Sequence, residues 1–172
     1  PVIGSGIANG DVLNAQTASI SMGWDVAYSP STPSFVAAIV NYTAPDFTMY
    51  STNYGANGSW VNCTATPSPF TGGGSLAIGD TNTWIYVQSN NGQAFYTLDR
   101  CNTWTQLSLP GAVTGGWGYA AYLKRHIVAA DPVLANTFYL YNWQSSAQTY
   151  VFKCAVVTGT MGCGAAVGSC AA

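Results

Sequence analysis

Six aspartates, one histidine and five cysteines are the residues of this chain with the clearest capacity for chemistry; glutamate is absent. Glycosidic-bond hydrolysis needs two carboxyl groups facing one cleft, one as acid and one as base or nucleophile. The acids are Asp11, Asp25, Asp46, Asp80, Asp99 and Asp131. Asp99 follows Thr97 by two residues, a spacing at which hydroxyl and carboxylate both accept hydrogen bonds from the N–H groups of a tight turn. Asp80 and Asp131 fall in equivalent turns between predicted strands, which leaves Asp11, Asp25 and Asp46. Asp25 follows Gly23-Trp24; an aromatic beside a carboxylate suits a sugar site, and a strand-end carboxylate is the competing role. No pair of catalytic carboxylates is evident.

The other constellations are weaker still. His126 lies in Lys124-Arg125-His126, the single basic cluster, and no Gly-x-Ser-x-Gly elbow supplies a serine partner. The cluster reads as a solvated strand edge that discourages edge-to-edge pairing. No calcium-loop pattern links the aspartates, and the cysteines show no C-x-x-C spacing, so neither metal nor cofactor is expected. Cys63, Cys101, Cys154, Cys163 and Cys170 read as disulfide candidates in an oxidising compartment. Their odd number leaves one thiol over, or one bond to another chain, and the connectivity stays open.

Composition narrows the partners. Only 6% of the 172 residues are charged, with four bases and a net charge of −2; an ordinary soluble domain carries roughly a quarter. Four bases cannot neutralise a phosphate backbone, which excludes nucleic acid. Solubility must come from polar uncharged side chains, attached sugar or burial in an assembly. Sequons at Asn41, Asn57 and Asn62 are candidate N-glycosylation sites near strand ends or turns. No apolar run reaches the ~18 residues of a membrane helix. The chain opens at Pro1 without a charged-then-apolar leader, so a secretion signal is expected to be absent or removed.

The elements that must position these residues are strands. Apolar runs of strand length, Phe35 to Val40, Trp84 to Val87 and Phe138 to Tyr141, are suited to burial on both faces. Each is preceded by a short aliphatic strand and a turn rich in Ser, Pro, Asp or Asn, and followed by another strand. Aligning Ala27, Ala77 and Val128 gives intervals of 50 and 51 residues, a period of blade size with four short strands per unit. No helical period persists over three turns.

Two turns inside this repeat share a pattern. One runs Thr97-x-Asp99-x-Cys101-x-Thr103-Trp104; the other has Ser51, Asn53 and Gly55, then Ser59-Trp60. Their aromatic leads, Tyr50 and Tyr96, are 46 positions apart. The pattern resembles the Asp-box of the neuraminidase-type repeat, found between the third and fourth strands of β-propeller blades, with Thr for Ser and Cys for Gly in the second copy. Ser51, Asn53, Gly55, Trp60, Thr97, Asp99, Thr103 and Trp104 would then be structural. The order of aliphatic-Ala, Asp-Pro turn, aromatic strand and box resembles blades of sialidases, sortilin-type receptors and, most closely, the two-propeller xyloglucan hydrolases. Sialidases also use an arginine cluster, and only Arg100 and Arg125 occur here.

The resulting expectation is an all-β protein without significant helix, with about three four-stranded propeller-type blades, partial or completed by another chain. An arm spans 1–18, a propeller-like domain 19–153 (blades 19–66, 74–110 and 125–153), and a Gly/Ala/Cys-rich tail 154–172. Trp60, Trp84 and Trp104 are assigned to the core. Trp24, Trp117 and Tyr119 are the candidate ligand or assembly aromatics. The functional expectation is a non-catalytic, extracellular, glycosylated structural or adhesive protein that assembles with copies of itself or with other extracellular chains, as in a fibre or surface layer. Carbohydrate is a second candidate partner. The alternative is a piece of a carbohydrate-active or carbohydrate-binding propeller similar to the xyloglucan hydrolases.

Overall fold

Short apolar runs separated by Ser-, Asn-, Asp- and Gly-rich turns pair as hairpins, because a run of about four residues buries its faces only against neighbours of equal length. The computed structural model describes residues 25–39, 48–70, 73–88, 93–109, 127–143, 148–164 and 169–171; for 142–143, 148–150 and 169–171 the description is of backbone. The first sheet is an antiparallel meander of β1 (Asp25–Tyr28), β2 (Val36–Ile39), β3 (Thr48–Ser51) and β4 (Trp60–Asn62). The second repeats it with β5 (Ser75–Ile78), β6 (Trp84–Val87), β7 (Ala94–Thr97) and β8 (Thr105–Gln106). The third comprises β9 (Val128–Ala130), β10 (Thr137–Trp143), β11 (Gln148–Val157), β12 (Thr160–Cys163) and β13 (Ser169–Ala171). The protein is all-β, with no helix among the described residues.

The first strands of the sheets, β1, β5 and β9, adjoin in sequence order, so the sheets stack as three propeller-like blades. Strand register gives each blade two distinct faces. Ala27, Ala37 and Tyr50 share the forward face of blade one, Ala77, Ile85 and Tyr96 that of blade two, and Ala129, Tyr139 and Lys153 that of blade three. The core between blades one and two joins Ala37 and Ile39 to Leu76, Ile78, Trp84 and Tyr86. The core between blades two and three joins Ala77, Ile85 and Val87 to Val128, Phe138, Leu140 and Phe152. Every residue of β5 and β6 is buried, as a middle blade requires.

The third blade extends past residue 153. β11 continues to Val157 and turns through Thr158 (φ 47°) and Gly159 (φ 80°) into β12. Two consecutive left-handed residues make the tight turn that matches strand twist in a two-residue hairpin. β13 then pairs with the opposite end of β11. Strands from the 154–172 segment thus complete the third sheet.

Candidate functional site

The described acids are engaged by backbone and by neighbouring blades. Asp25 accepts from Leu76 N–H at 2.8 Å and Ser75 Oγ at 3.1 Å, tying β1 to β5, and its other oxygen accepts from Val26 N–H at 2.9 Å. Asp80 closes the β5–β6 turn by accepting from the N–H groups of Asn82 and Thr83, both at 2.8 Å. Its second oxygen accepts from Asn136 Nδ2 of blade three at 2.8 Å. Burial works to raise the Asp80 carboxyl pKa, but the bonds from Asn136, Asn82 and Thr83 outweigh it and hold the group below the usual carboxylate range. Asp131 repeats the turn with Val133 and Leu134 N–H at 2.8 and 2.9 Å and accepts from Tyr139 OH at 3.0 Å. The backbone bonds from Leu134 and Val133 are the main cause of its lowered pKa.

The two box-like turns are hydrogen-bonded knots. Thr97 Oγ1 donates to Asp99 Oδ1 at 2.7 Å and accepts from Cys101 N–H at 3.0 Å. Asp99 also accepts from Thr103 N–H at 2.9 Å and Thr103 Oγ1 at 2.7 Å. Partial desolvation opposes ionisation of Asp99, and the bonds from Thr103 and Thr97 more than offset it, so its pKa is lowered. In the first turn Ser51 Oγ accepts from Asn53 and Gly55 N–H at 3.0 and 3.1 Å and lies 2.6 Å from Ser59 Oγ. Trp60 Nε1 donates to Gly55 O at 3.1 Å, and Trp104 Nε1 donates to Ala65 O at 3.1 Å. Gly55 is required twice over, by its φ of 73° and because a Cβ there would stand 3.1 Å from the Trp60 ring. Cys101 holds the equivalent place at φ 56°.

The strongest cation of these turns is committed to the scaffold as well. Arg100 Nε donates to Thr81 O at 3.3 Å, and its guanidinium lies 5.6 and 5.8 Å from the Phe35 and Tyr50 rings. A cluster of rings, Phe35, Tyr50, Trp84, Tyr86 and Trp104, fills the space between blades one and two. Burial pushes the Tyr86 phenol pKa up, and its hydroxyl donates to Gly73 O. Among the described residues there are two disulfides: Cys63–Cys101 joins blade one to blade two, and Cys154–Cys163 joins β11 to β12. Neither pairing was legible in the spacing. No group of acids, histidines or cysteines suited to a metal ion occurs among the described residues, and no helix among them is long and apolar enough to cross a membrane.

Of the remaining expected sites, Asn57 is exposed in the first turn and Asn62 is exposed on β4. Trp24, Trp117, Tyr119 and Asn41 lie outside the described residues, as do Asp11, Asp46, Arg125 and His126. Cys170 lies in β13, where the backbone alone is described. Sequence reasoning missed the role of Asp25 between inner strands, for which the only signal was its place at a strand start. It also missed the outward faces of the two end blades, which needed the register to be seen. Val26 and Tyr28 on blade one and Tyr141 on blade three are exposed there.

No protein-family model matches the chain, and no curated protein sequence matches it. Among solved structures it is similar to the GH74 enzyme of Niastella koreensis, at 27% identity and a TM-score of 0.51 over 73% of this chain. The chain spans 16% of that enzyme's length. A GH74 xyloglucanase from Xanthomonas campestris aligns over 80% of this chain and 29% of its own, at 13% identity and a TM-score of 0.32. The chain is thus an all-β protein of three propeller-like blades, structurally related to a GH74 propeller enzyme.

Proposed function

We propose that this chain is a non-catalytic extracellular propeller protein that works by assembly, its blades completed by association with further blades. In this reading the two knotted turns are Asp-boxes, and the role is structural or adhesive, in a glycosylated fibre or surface layer. The observation that carries it is the fate of the acids. Asp25, Asp80, Asp99 and Asp131 all accept hydrogen bonds from backbone N–H groups of turns or inner strands, whereas a glycosidase needs two carboxyl groups turned to a cleft. The two disulfides fit an oxidising compartment.

A second reading is favoured by the 27% identity to the GH74 enzyme: these blades would be scaffold within a larger glycoside hydrolase. Sugar release and mass in solution together separate the two. Purified chain is incubated with xyloglucan and with unbranched β-glucan, and reducing ends are counted. The assembly reading expects no release above a heat-killed control, together with sugar on Asn41, Asn57 or Asn62 by peptide mass spectrometry. Release above that control would overturn the non-catalytic assignment, whereas no release from a chain that stays at its single-chain mass of 18.0 kDa by light scattering would favour the scaffold reading.

A further inference from the structure

Two of the three sequons bracket one strand. Asn57 lies shortly before β4 and Asn62 is its last residue, and both are exposed. Among the described residues β4 pairs with β3 alone, so it is the outer edge of blade one. An edge strand is a template for pairing with another chain, and proteins blunt it with charge, proline or a covering element. β4 reads Trp60-Val61-Asn62, carries no charge and exposes Val61. With only 6% of its residues charged, the chain needs an edge guard of another kind.

Folding treats the two sequons differently. Sugar transfer needs the asparagine amide and the hydroxyl two residues on, presented together on an accessible segment. In the folded chain the rest of Asn62-Cys63-Thr64 is bound to blade two. Cys63 is bonded to Cys101, and Thr64 Oγ1 donates to Asn102 Oδ1 at 3.0 Å. The next residue, Ala65, donates its N–H to Cys101 O at 3.3 Å. In Asn57-Gly58-Ser59 the hydroxyl donates to Ala56 O at 2.6 Å and lies 2.6 Å from Ser51 Oγ. Both hydroxyls are engaged once the fold is complete, but their partners are made at different times. Ser51 and Ala56 precede Ser59 by 8 and 3 residues, so that lock is ready as soon as its own turn forms. Cys101 and Asn102 follow Cys63 and Thr64 by 38 residues, so Asn62 stays open while that stretch is synthesised.

We propose that Asn62 carries an N-linked oligosaccharide, attached before the Cys63–Cys101 bond closes, and that this sugar guards the β4 edge. The donor class is a lipid-linked oligosaccharide diphosphate. Asn62 Nδ2 bonds to the anomeric carbon of the sugar and gives up a proton. The bond from that carbon to the diphosphate oxygen breaks, and the lipid diphosphate leaves with the electron pair. Closure of the disulfide and of the Thr64–Asn102 bond then fixes the sugar-bearing end of β4 against blade two. A bulky, hydrated group on the last residue of the strand obstructs an incoming strand as an edge lysine does elsewhere. The inference rests on the extracellular, glycosylated reading and names the site, order and purpose of the modification.

The test begins with peptide mass spectrometry of the chain secreted from a eukaryotic cell line. Asn62 should be occupied in most copies, and more fully than Asn57. The chain folded and oxidised without sugar is then offered to oligosaccharyl transferase with its lipid-linked donor. Asn62 should stay bare there. Cys101→Ala/Asn102→Ala, with an unchanged far-ultraviolet circular dichroism spectrum, should take sugar at Asn62 while Asn57 stays bare. Edge guarding is read by light scattering of secreted material. Asn62→Gln should shift it to larger mass than the wild type, and Asn62→Lys, which sets charge on the edge without sugar, should return it. A bare Asn62, sugar accepted at Asn62 by the folded, oxidised wild type, or refusal by the folded double variant would each overturn the proposal. So would Asn62→Gln at wild-type mass, or Asn62→Lys as aggregated as Asn62→Gln. Sugar confined to Asn41 or Asn57 would defeat it and leave the assembly reading standing, so the two can fail separately.

Discussion

Replacing Thr97 separates the hydrogen-bonded role of the box turn from simple burial. Thr97 is 1% exposed and sits beneath the turn, so Thr97→Val keeps its volume and raises its hydrophobicity. On burial alone valine should be neutral or stabilising. The geometry says otherwise. Valine leaves the N–H of fully buried Cys101 without its 3.0 Å acceptor and takes a 2.7 Å donor from Asp99. An orphaned buried N–H costs roughly 2 kcal/mol and a lost bond to a carboxylate about 1.5 kcal/mol, for a total of about 3.5 kcal/mol.

Thr97→Ser keeps the hydroxyl and gives up one buried methyl, which costs about 0.8 kcal/mol. For a chain of this length about 3.5 kcal/mol corresponds to a fall of roughly 7–14 °C in melting temperature, and about 0.8 kcal/mol to roughly 2–3 °C. The assay is thermal and urea unfolding followed by tryptophan fluorescence on both variants in the oxidised state. Valine at least as stable as serine would refute the reasoning. It would mean that the turn is held by packing of the Trp104 ring and that the hydroxyl–carboxylate knot contributes little.

The disulfides should rank by the loops they close. Cys63→Ala/Cys101→Ala opens a separation of 38 residues and should cost about 4 kcal/mol, and Cys154→Ala/Cys163→Ala opens 9 and should cost about 2.5 kcal/mol; equal urea midpoints would argue against chain entropy as the source. Acid should also weaken the fold. The Asp80 and Asp99 pKa values are lowered in the folded chain, so the unfolded chain takes up protons first. Their contribution is then fully present above the unfolded value of about 3.9 and is lost as pH falls through the folded values. Asp80→Asn should flatten that acid limb of a urea-stability profile, and a limb of unchanged slope would remove Asp80 from its causes.

The blades were legible because the middle strands are continuous apolar runs that admit no other pairing. Phe35 to Val40 and Trp84 to Val87 announce β2 and β6 within a residue or two. Less of the interfaces could be read, since the division of β6 into Trp84 and Tyr86 facing blade one and Ile85 and Val87 facing blade three exists only once neighbours are in place. The β11–β12 hairpin escaped notice for a local reason. Its turn is Thr158-Gly159, and a β-branched residue with positive φ runs against the Asn-Gly and Asp-Gly preferences of such turns. In the sequence Asp25 is an ambiguous strand-end acid because its partners, Ser75 and Leu76, lie about fifty residues on.

The cysteines follow a logic that joins the blades. In blade one Ser51 faces Trp60, and extending the β7–β8 register by one residue sets Thr97 opposite Trp104. The residues at this level in blade three are Cys154 and Cys163. A covalent bond thus replaces the hydroxyl and indole that close the other two blades. The second departure from the box pattern is Cys101, which takes the left-handed place held by Gly55 and is bonded to Cys63. A non-glycine residue in that region costs roughly 1–2 kcal/mol, less than the stabilisation of about 4 kcal/mol expected from closing its loop. Both disulfides therefore stand where the hydrogen-bonded turn is weakened or missing. That arrangement is useful only where thiols stay oxidised, and it makes the third blade, with no hydroxyl–carboxylate knot at that level, the one whose closure depends most directly on its compartment.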